Sequence, residues 1–163
     1  MRALGFDPGT ATTGYGVVDG DASRLRHVAH GIIATPADEH FALRLKRIHD
    51  EARELIRVHR PNVVVVERIY FKQNVTTGIA VAQARGVLAL AAVEAGLPVA
   101  EYSPTEVKTA IVGYGRAEKR QVQEMIKILL NLDAPPKPDD AADALGLAIC
   151  QVQAGALQSR LRE

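Results

Sequence analysis

Four carboxylates stand out by their placement. Asp7 closes the apolar run Ala3-Leu4-Gly5-Phe6 and is followed by Pro8-Gly9-Thr10. Glu67 closes four consecutive valines, Val63 to Val66. Asp140 and Asp143 lie three apart, which puts them on one face of a helix. Asp143 sits between Ala141-Ala142 and Ala144-Leu145-Gly146-Leu147-Ala148, small and apolar neighbours of a helix that must pack. Each acid has a plain structural alternative. Asp7 can cap a turn, Glu67 can be a solvated strand end, and Asp139 or Asp140 can be an N-cap after prolines. Two carboxylates about 5 Å apart repel by ~3 kcal/mol at an effective dielectric near ~20. Four that met would offset much of a domain's stability of about 5–15 kcal/mol unless a cation joined them. Oxygen donors without a nearby histidine or thiol favour Mg²⁺ or Mn²⁺ over zinc. Two such ions, about 3.5–4 Å apart, suit in-line displacement at phosphorus.

The elements that must bring these acids together are readable from hydrophobic period. RALGFD, TGYGVVD and RLRHVAHGIIAT alternate as three consecutive strands joined by short turns. From His40 to His59 the apolar step becomes three or four (Phe41, Leu45, Ile48, Ala52, Leu55, Val58), an amphipathic helix that Pro61 stops. Asn62 to Glu67 is a strand whose four valines imply cover on both faces. An Ala-rich helix follows over Val75–Ala95, its small side chains open to close approach by another helix or a second subunit. Leu97–Tyr102 is a fifth strand, and Ser103-Pro104-Thr105-Glu106 opens a short helix with an N-cap, an N1 proline and an early acid. Gly113–Arg116 is a loop, Ala117–Leu130 a helix, Asp133–Pro138 a connection and Asp139 onward a last helix. The order predicts a mixed five-stranded α/β sheet flanked by helices. If the first and fourth strands are parallel neighbours, Asp7 and Glu67 face one mouth beyond the strands' carboxyl ends.

Composition sets the wider frame. The 163 residues are 47% hydrophobic and 24% charged, the balance of a soluble globular protein. One domain is expected over residues 1–156, with a C-terminal tail at 157–163. No apolar run approaches the ~20 residues of a membrane span, and the start does not read as a signal peptide. A lone Cys150, expected as a buried small hydrophobe, excludes an internal disulfide and fits a reducing, cytoplasmic setting. Net charge is +1, but setting the four acids aside leaves a clear positive surplus. Such a surplus can hold a phosphate backbone in a salt-sensitive way.

The basic residues cluster. Arg68 and Lys72 flank the aromatic pair Tyr70-Phe71, and Arg116, Lys119 and Arg120 surround the Gly-rich loop and the next helix start. A cation is disfavoured at a helix N-terminus, so Lys119 there invites a phosphate that the amides would also welcome. The alternative is a solvated face. His27, His30, His40, His49 and His59 follow no metal-ligand spacing and are read as structural or surface residues.

At these residues the chain resembles the RuvC family of Holliday junction resolvases, nearly end to end. The matching blocks are Gly5-Phe6-Asp7-Pro8-Gly9, Thr13-Gly14-Tyr15-Gly16, Val66-Glu67 with Tyr70-Phe71 and Asn74, and Gln83-Ala84-Arg85-Gly86-Val87. Further on come Pro104-Thr105-Glu106-Val107-Lys108, Ala117-Glu118-Lys119 and Asp140-Ala141-Ala142-Asp143-Ala144-Leu145. The resemblance implies an RNase H-like fold and a homodimer. It implies Mg²⁺-dependent paired nicking of four-way junction DNA, with Mn²⁺ substituting and two ions per active site. It also implies ligatable ends, and cooperation with the junction-binding protein RuvA and the branch-migration motor RuvB. Asp7, Glu67, Asp140 and Asp143 fall on the family's metal-binding acids, and Lys108 and Lys119 on basic residues near the scissile phosphate. Arg85 falls in a block near the dimer helix. One position departs from the pattern. The family's common Phe, three residues after the catalytic Glu, is Tyr70 here, with Phe71 next. Either ring could stack on a base at the crossover.

Other functions compete. Asp7-Pro8-Gly9-Thr10 also resembles the phosphate loop of actin-like sugar kinases and ATPases, which need two related lobes, whereas this chain has length for one and no second such motif. A non-catalytic junction-binding module would be expected to lack one of the acids. A related nuclease acting on RNA–DNA hybrids would keep the same acids and basic loops.

Overall fold

The computed structural model of the chain describes residues 1–21, 23–70 and 75–160, the last five as backbone alone. Strands β1 (Arg2–Asp7), β2 (Thr12–Gly20) and β3 (Leu25–Ala34) come first, then helix α1 (Phe41–His59) and strand β4 (Val63–Glu67). Helix α2 (Val75–Glu94), strand β5 (Val99–Tyr102) and helices α3 (Pro104–Val112), α4 (Lys119–Leu129) and α5 (Asp139–Arg160) complete the chain. The sheet order is β3-β2-β1-β4-β5. β1 is antiparallel to β2 and parallel to β4, and β4 is parallel to β5. This is the mixed five-stranded α/β architecture expected.

Period two divides the core between the two sheet faces. Val64 and Val66 join Leu4, Phe6 and Val17 against Ile48 and Ala52 of α1 and Leu88 and Ala91 of α2. Val63 and Val65 join Ala3 and Val18 against Val107 of α3, Ile126 of α4 and Leu145 and Ile149 of α5. Both faces of β4 are thus covered, and each buried valine contributes roughly 1.5–3 kcal/mol of transfer free energy.

Local signals set the helix ends. His40 caps α1, its ring nitrogen accepting from the Ala42 N–H at 3.3 Å, and Arg60 ends it in the left-handed region at φ 48° just before Pro61. Ser103 and Glu106 form a reciprocal capping box at α3, with Pro104 at its first position. α4 starts at Lys119, two residues later than expected, because Glu118 is its N-cap. α5 runs on to Arg160, through the first residues of the expected tail.

One expectation is overturned. α2 is 20 residues long with mean hydropathy 1.4, long and apolar enough by composition to cross a bilayer. The reading of a chain with no such stretch missed it, because alanine and valine raise hydropathy without an obvious run of large side chains. In this fold α2 instead lies on the sheet, burying Ala84, Leu88, Ala91 and Ala92.

Two glycines let α5 lie directly on the sheet. A Cβ on Gly5 of β1 would stand 2.2 Å from the Ala144 carbonyl oxygen, and one on Gly14 of β2 would stand 1.9 Å from that of Asp140. No side chain fits between helix and sheet at these points, so α5 settles at backbone contact and carries its acids down onto β1.

Candidate active site

Phe6 of β1 pairs with Val66 of β4, so Asp7 and Glu67 are the next residues on adjacent parallel strands. Alternation points both to the α5 side, since Phe6 and Val66 face the α1–α2 side. Gly14, the partner of Asp7 across β1 and β2, lies beneath the Asp140 backbone. Asp143 follows one helical turn later.

The electrostatics follow from that placement. Burial, then the charges of Glu67, Asp143 and Asp140 and a hydrogen bond with Asp140, push the Asp7 carboxyl up to about 8. Burial and the Asp143 charge raise Glu67, with Lys119 opposing. Burial raises Asp143, again opposed by its hydrogen bond and ion pair with Lys119. The four acids therefore share one field. They do not close into a ready-made cage, however. Among the described residues no group of three or more acids, histidines or cysteines is drawn close enough to hold an ion. Lys119 instead holds Asp143, with Nζ 3.1 Å from Oδ2. The donor set is nevertheless all oxygen, negatively charged and half-buried, and an Asp7 that favours its proton is a carboxylate short of positive charge. These residues suit a hard divalent cation.

A pH prediction follows for the metal-free protein. The folded state holds the Asp7 proton to about 8, whereas the ordinary value is 3.8. Between those values the unfolded chain has released a proton the folded chain keeps, so stability falls as pH rises. The loss should reach about 4 kcal/mol by neutral pH. Urea midpoints in EDTA should drop between pH 5 and pH 8, and Mg²⁺ should recover much of the drop. A profile that stays flat in EDTA would remove Asp7 as an uncompensated charge.

Of the basic residues, Lys119 and Lys108 line one cavity of about 220 Å³ with Glu67 and Asp143, walled by Val107, Val122 and Ile126. Burial alone would lower the Lys119 ammonium, but Asp143 and then Asp139 raise it. Asp139, the neighbour of Asp140, is exposed and held by Lys119 at 3.4 Å and by Gln123 at 3.0 Å. Asp140 is the one whose charge reaches Asp7. Arg116 and Arg120 are exposed, and no ion pair among the described residues engages them or Lys108. Tyr70 is 59% exposed, at the edge of a second cavity beside Glu67. Phe71, Lys72 and Asn74 lie outside the described residues.

Arg68, which flanks the aromatics, is engaged by acids of β5 and α3. Its guanidinium pairs with Glu106 at 3.3 Å and Glu101 at 3.9 Å, and donates to the Glu101 carbonyl at 3.3 Å. Sequence reasoning also gave Arg85 no contact in the site, yet its Nε donates to the Glu67 carbonyl at 3.2 Å. No local pattern signals a bond between residues 18 apart on a helix and a strand end. The lone arginine in an otherwise uncharged stretch of α2 was the available hint.

A sequence model of the family described as "Crossover junction endodeoxyribonuclease RuvC" matches residues 3–151. A curated protein of that description from Syntrophomonas wolfei is 50% identical over 161 residues, 99% of this chain and 94% of its own. One from Rubrobacter xylanophilus is 57% identical over 147 residues, 90% of this chain and 82% of its own. Among solved structures, Thermus thermophilus RuvC in complex with a Holliday junction substrate superposes with a TM-score of 0.93 at 33% identity. It covers 98% of this chain and 97% of that one.

Proposed function

The chain belongs to the RuvC family of crossover junction endodeoxyribonucleases, and from that premise we propose that Asp7, Glu67, Asp140 and Asp143 hold the divalent cations with which it nicks four-way DNA. Its activity is the resolution of Holliday junctions in homologous recombination and DNA repair. Phosphodiester hydrolysis leaves 5′-phosphate and 3′-hydroxyl ends that a ligase can seal. The observation that carries the site is the placement of Asp7 and Glu67 at the ends of paired strands beneath α5, where burial first and then the charges of Glu67, Asp143 and Asp140 raise the Asp7 carboxyl to about 8. Mg²⁺ is the proposed ion, Mn²⁺ substituting, two per site. Bound there, the cations supply Lewis acidity to the attacking water and to the departing 3′ oxygen.

The chain's own groups do the rest. Asp7, which feels all three other acids, would be shared by the cations that Glu67, Asp140 and Asp143 would help to hold. Lys119, paired with Asp143 in the free protein, would bind a phosphoryl oxygen of the DNA, and Lys108 on the same cavity wall would steady that phosphate. The exposed Tyr70 ring, or the neighbouring Phe71 of the sequence, stacks on a base at the crossover, with Lys72 a further DNA contact. Arg116 and Arg120 contact the backbone. Two opposed cuts call for two sites, hence a homodimer. Val75, Ile79, Leu90 and Val93, exposed along α2, offer the face. A soluble cytoplasmic enzyme of one domain over residues 1–156, with a short tail, would work with RuvA and RuvB.

The test is a labelled four-way junction beside a linear duplex and an RNA–DNA hybrid, with and without Mg²⁺. Paired nicks on the junction alone, and only with Mg²⁺, are expected. Equal cutting of the hybrid would move the substrate, and cutting in EDTA would remove the metal.

A further inference from the structure

We infer that Arg85, on α2, is a positioning residue for Glu67, and the inference rests on Glu67 being a ligand in the site proposed above. Arg85 donates Nε to the Glu67 carbonyl at 3.2 Å and pairs its Nη2 with the Glu101 carboxylate on β5. Glu67 is the last residue of β4, paired across the sheet with Tyr102. Beyond it the ladder has one more bond, Arg68 N–H to the Tyr102 carbonyl at 2.8 Å. The strand end that must aim a carboxylate at Asp7 is therefore steadied from the side by a helix.

The contact belongs to a longer chain of charges. Glu101 faces a second guanidinium, that of Arg68, which reaches on to Glu106 at 3.3 Å. The same Glu106 oxygen accepts the Ser103 N–H at 2.7 Å in the cap of α3. α3 carries Lys108, on the wall of the cavity that Glu67 lines. Arg85 thus ties α2 to the β4 end, and Glu101 and Arg68 tie that end to the helix bearing a phosphate-facing lysine. Partial burial gives this weight. The Arg85 side chain is 27% exposed, so its bonds are screened less than those of a surface pair. The planar guanidinium serves a carbonyl and a carboxylate at once through separate N–H groups. A lysine ammonium in that place reaches one of them well.

The experiment compares Arg85→Lys and Arg85→Gln with Glu67→Gln as reference. Mn²⁺ affinity is read by electron spin resonance on the protein alone, junction affinity in EDTA, and kcat and KM for nicking in Mg²⁺. Both Arg85 variants should bind Mn²⁺ about tenfold more weakly and lose about tenfold in kcat, as groups that orient ligands commonly do. Junction affinity and KM should stay within about twofold, and charge alone, in Arg85→Lys, should not rescue. Unchanged Mn²⁺ affinity in both variants, whatever happens to their melting temperature, overturns the role of Arg85. Unchanged Mn²⁺ affinity in Glu67→Gln overturns the site assignment and this inference with it.

Discussion

Asp7→Asn should lower junction cleavage by at least about 10³-fold, equivalent to ~4 kcal/mol of barrier, while junction affinity in EDTA stays within about twofold. The amide keeps the shape of the carboxyl and removes the charge. Asp7 is the acid most coupled to its neighbours, burdened by Glu67, Asp143 and Asp140 together, so its loss weakens the shared field at its centre. DNA contacts assigned to Tyr70, Arg116 and Arg120 are untouched. The same substitution should stabilise the metal-free protein at pH 8, because a buried charge that opposes folding has gone. A single-turnover nicking assay and a urea melt check both. Cleavage retained above a tenth of the wild-type rate would take Asp7 out of the mechanism, and a lower midpoint at pH 8 would contradict its electrostatic setting.

Gly14→Ala should be nearly as damaging, from a residue that carries no chemistry. Its new Cβ would stand 1.9 Å from the Asp140 carbonyl oxygen and 2.9 Å from the Ala141 nitrogen, both backbone atoms of α5. A rotamer change cannot relieve that, so the helix start must lift by roughly 1 Å or more. Overpacking of this kind costs about 1–3 kcal/mol or more, and a displacement of about 1 Å at a reacting centre costs on the order of 10²-fold in rate. If Gly14→Ala melts and cuts like wild type, α5 does not rest on the sheet as described.

Much of this arrangement was legible from short-range pattern, because short-range physics made it. The step of Ile48, Ala52 and Leu55 declared α1, and Ser103-Pro104-Glu106 declared the start of α3 through the capping box it forms. The valine run declared a strand covered twice, and Asp7 and Glu67 at strand ends pointed to one mouth once β1 and β4 were parallel. What escaped depended on tertiary neighbours. Lys119 reads as a phosphate ligand at a helix start. That Asp143 and Asp139 hold it without DNA follows only from how α4 meets α5. Arg68 reads as a cation flanking the aromatic pair, and Glu101 and Glu106 reach it only because β5 lies beside β4. α2 shows no clear apolar stripe, since valines and leucines point outward as well as inward, and so its length hid a composition fit for lipid. The convergence of the acids was foreseeable, whereas the hold of Lys119 on one of them was not.

The seating of α5 on Gly5 and Gly14 has a consequence for the protein's birth. Two of the four acids belong to a helix made late in synthesis, whereas the strands that receive it are made first. A ribosome delivering the chain in order exposes Asp7 and Glu67 well before Asp140 and Asp143 arrive. On the proposed assignment the half-made polypeptide lacks two of the four metal-holding acids and would not cut until translation has passed α5.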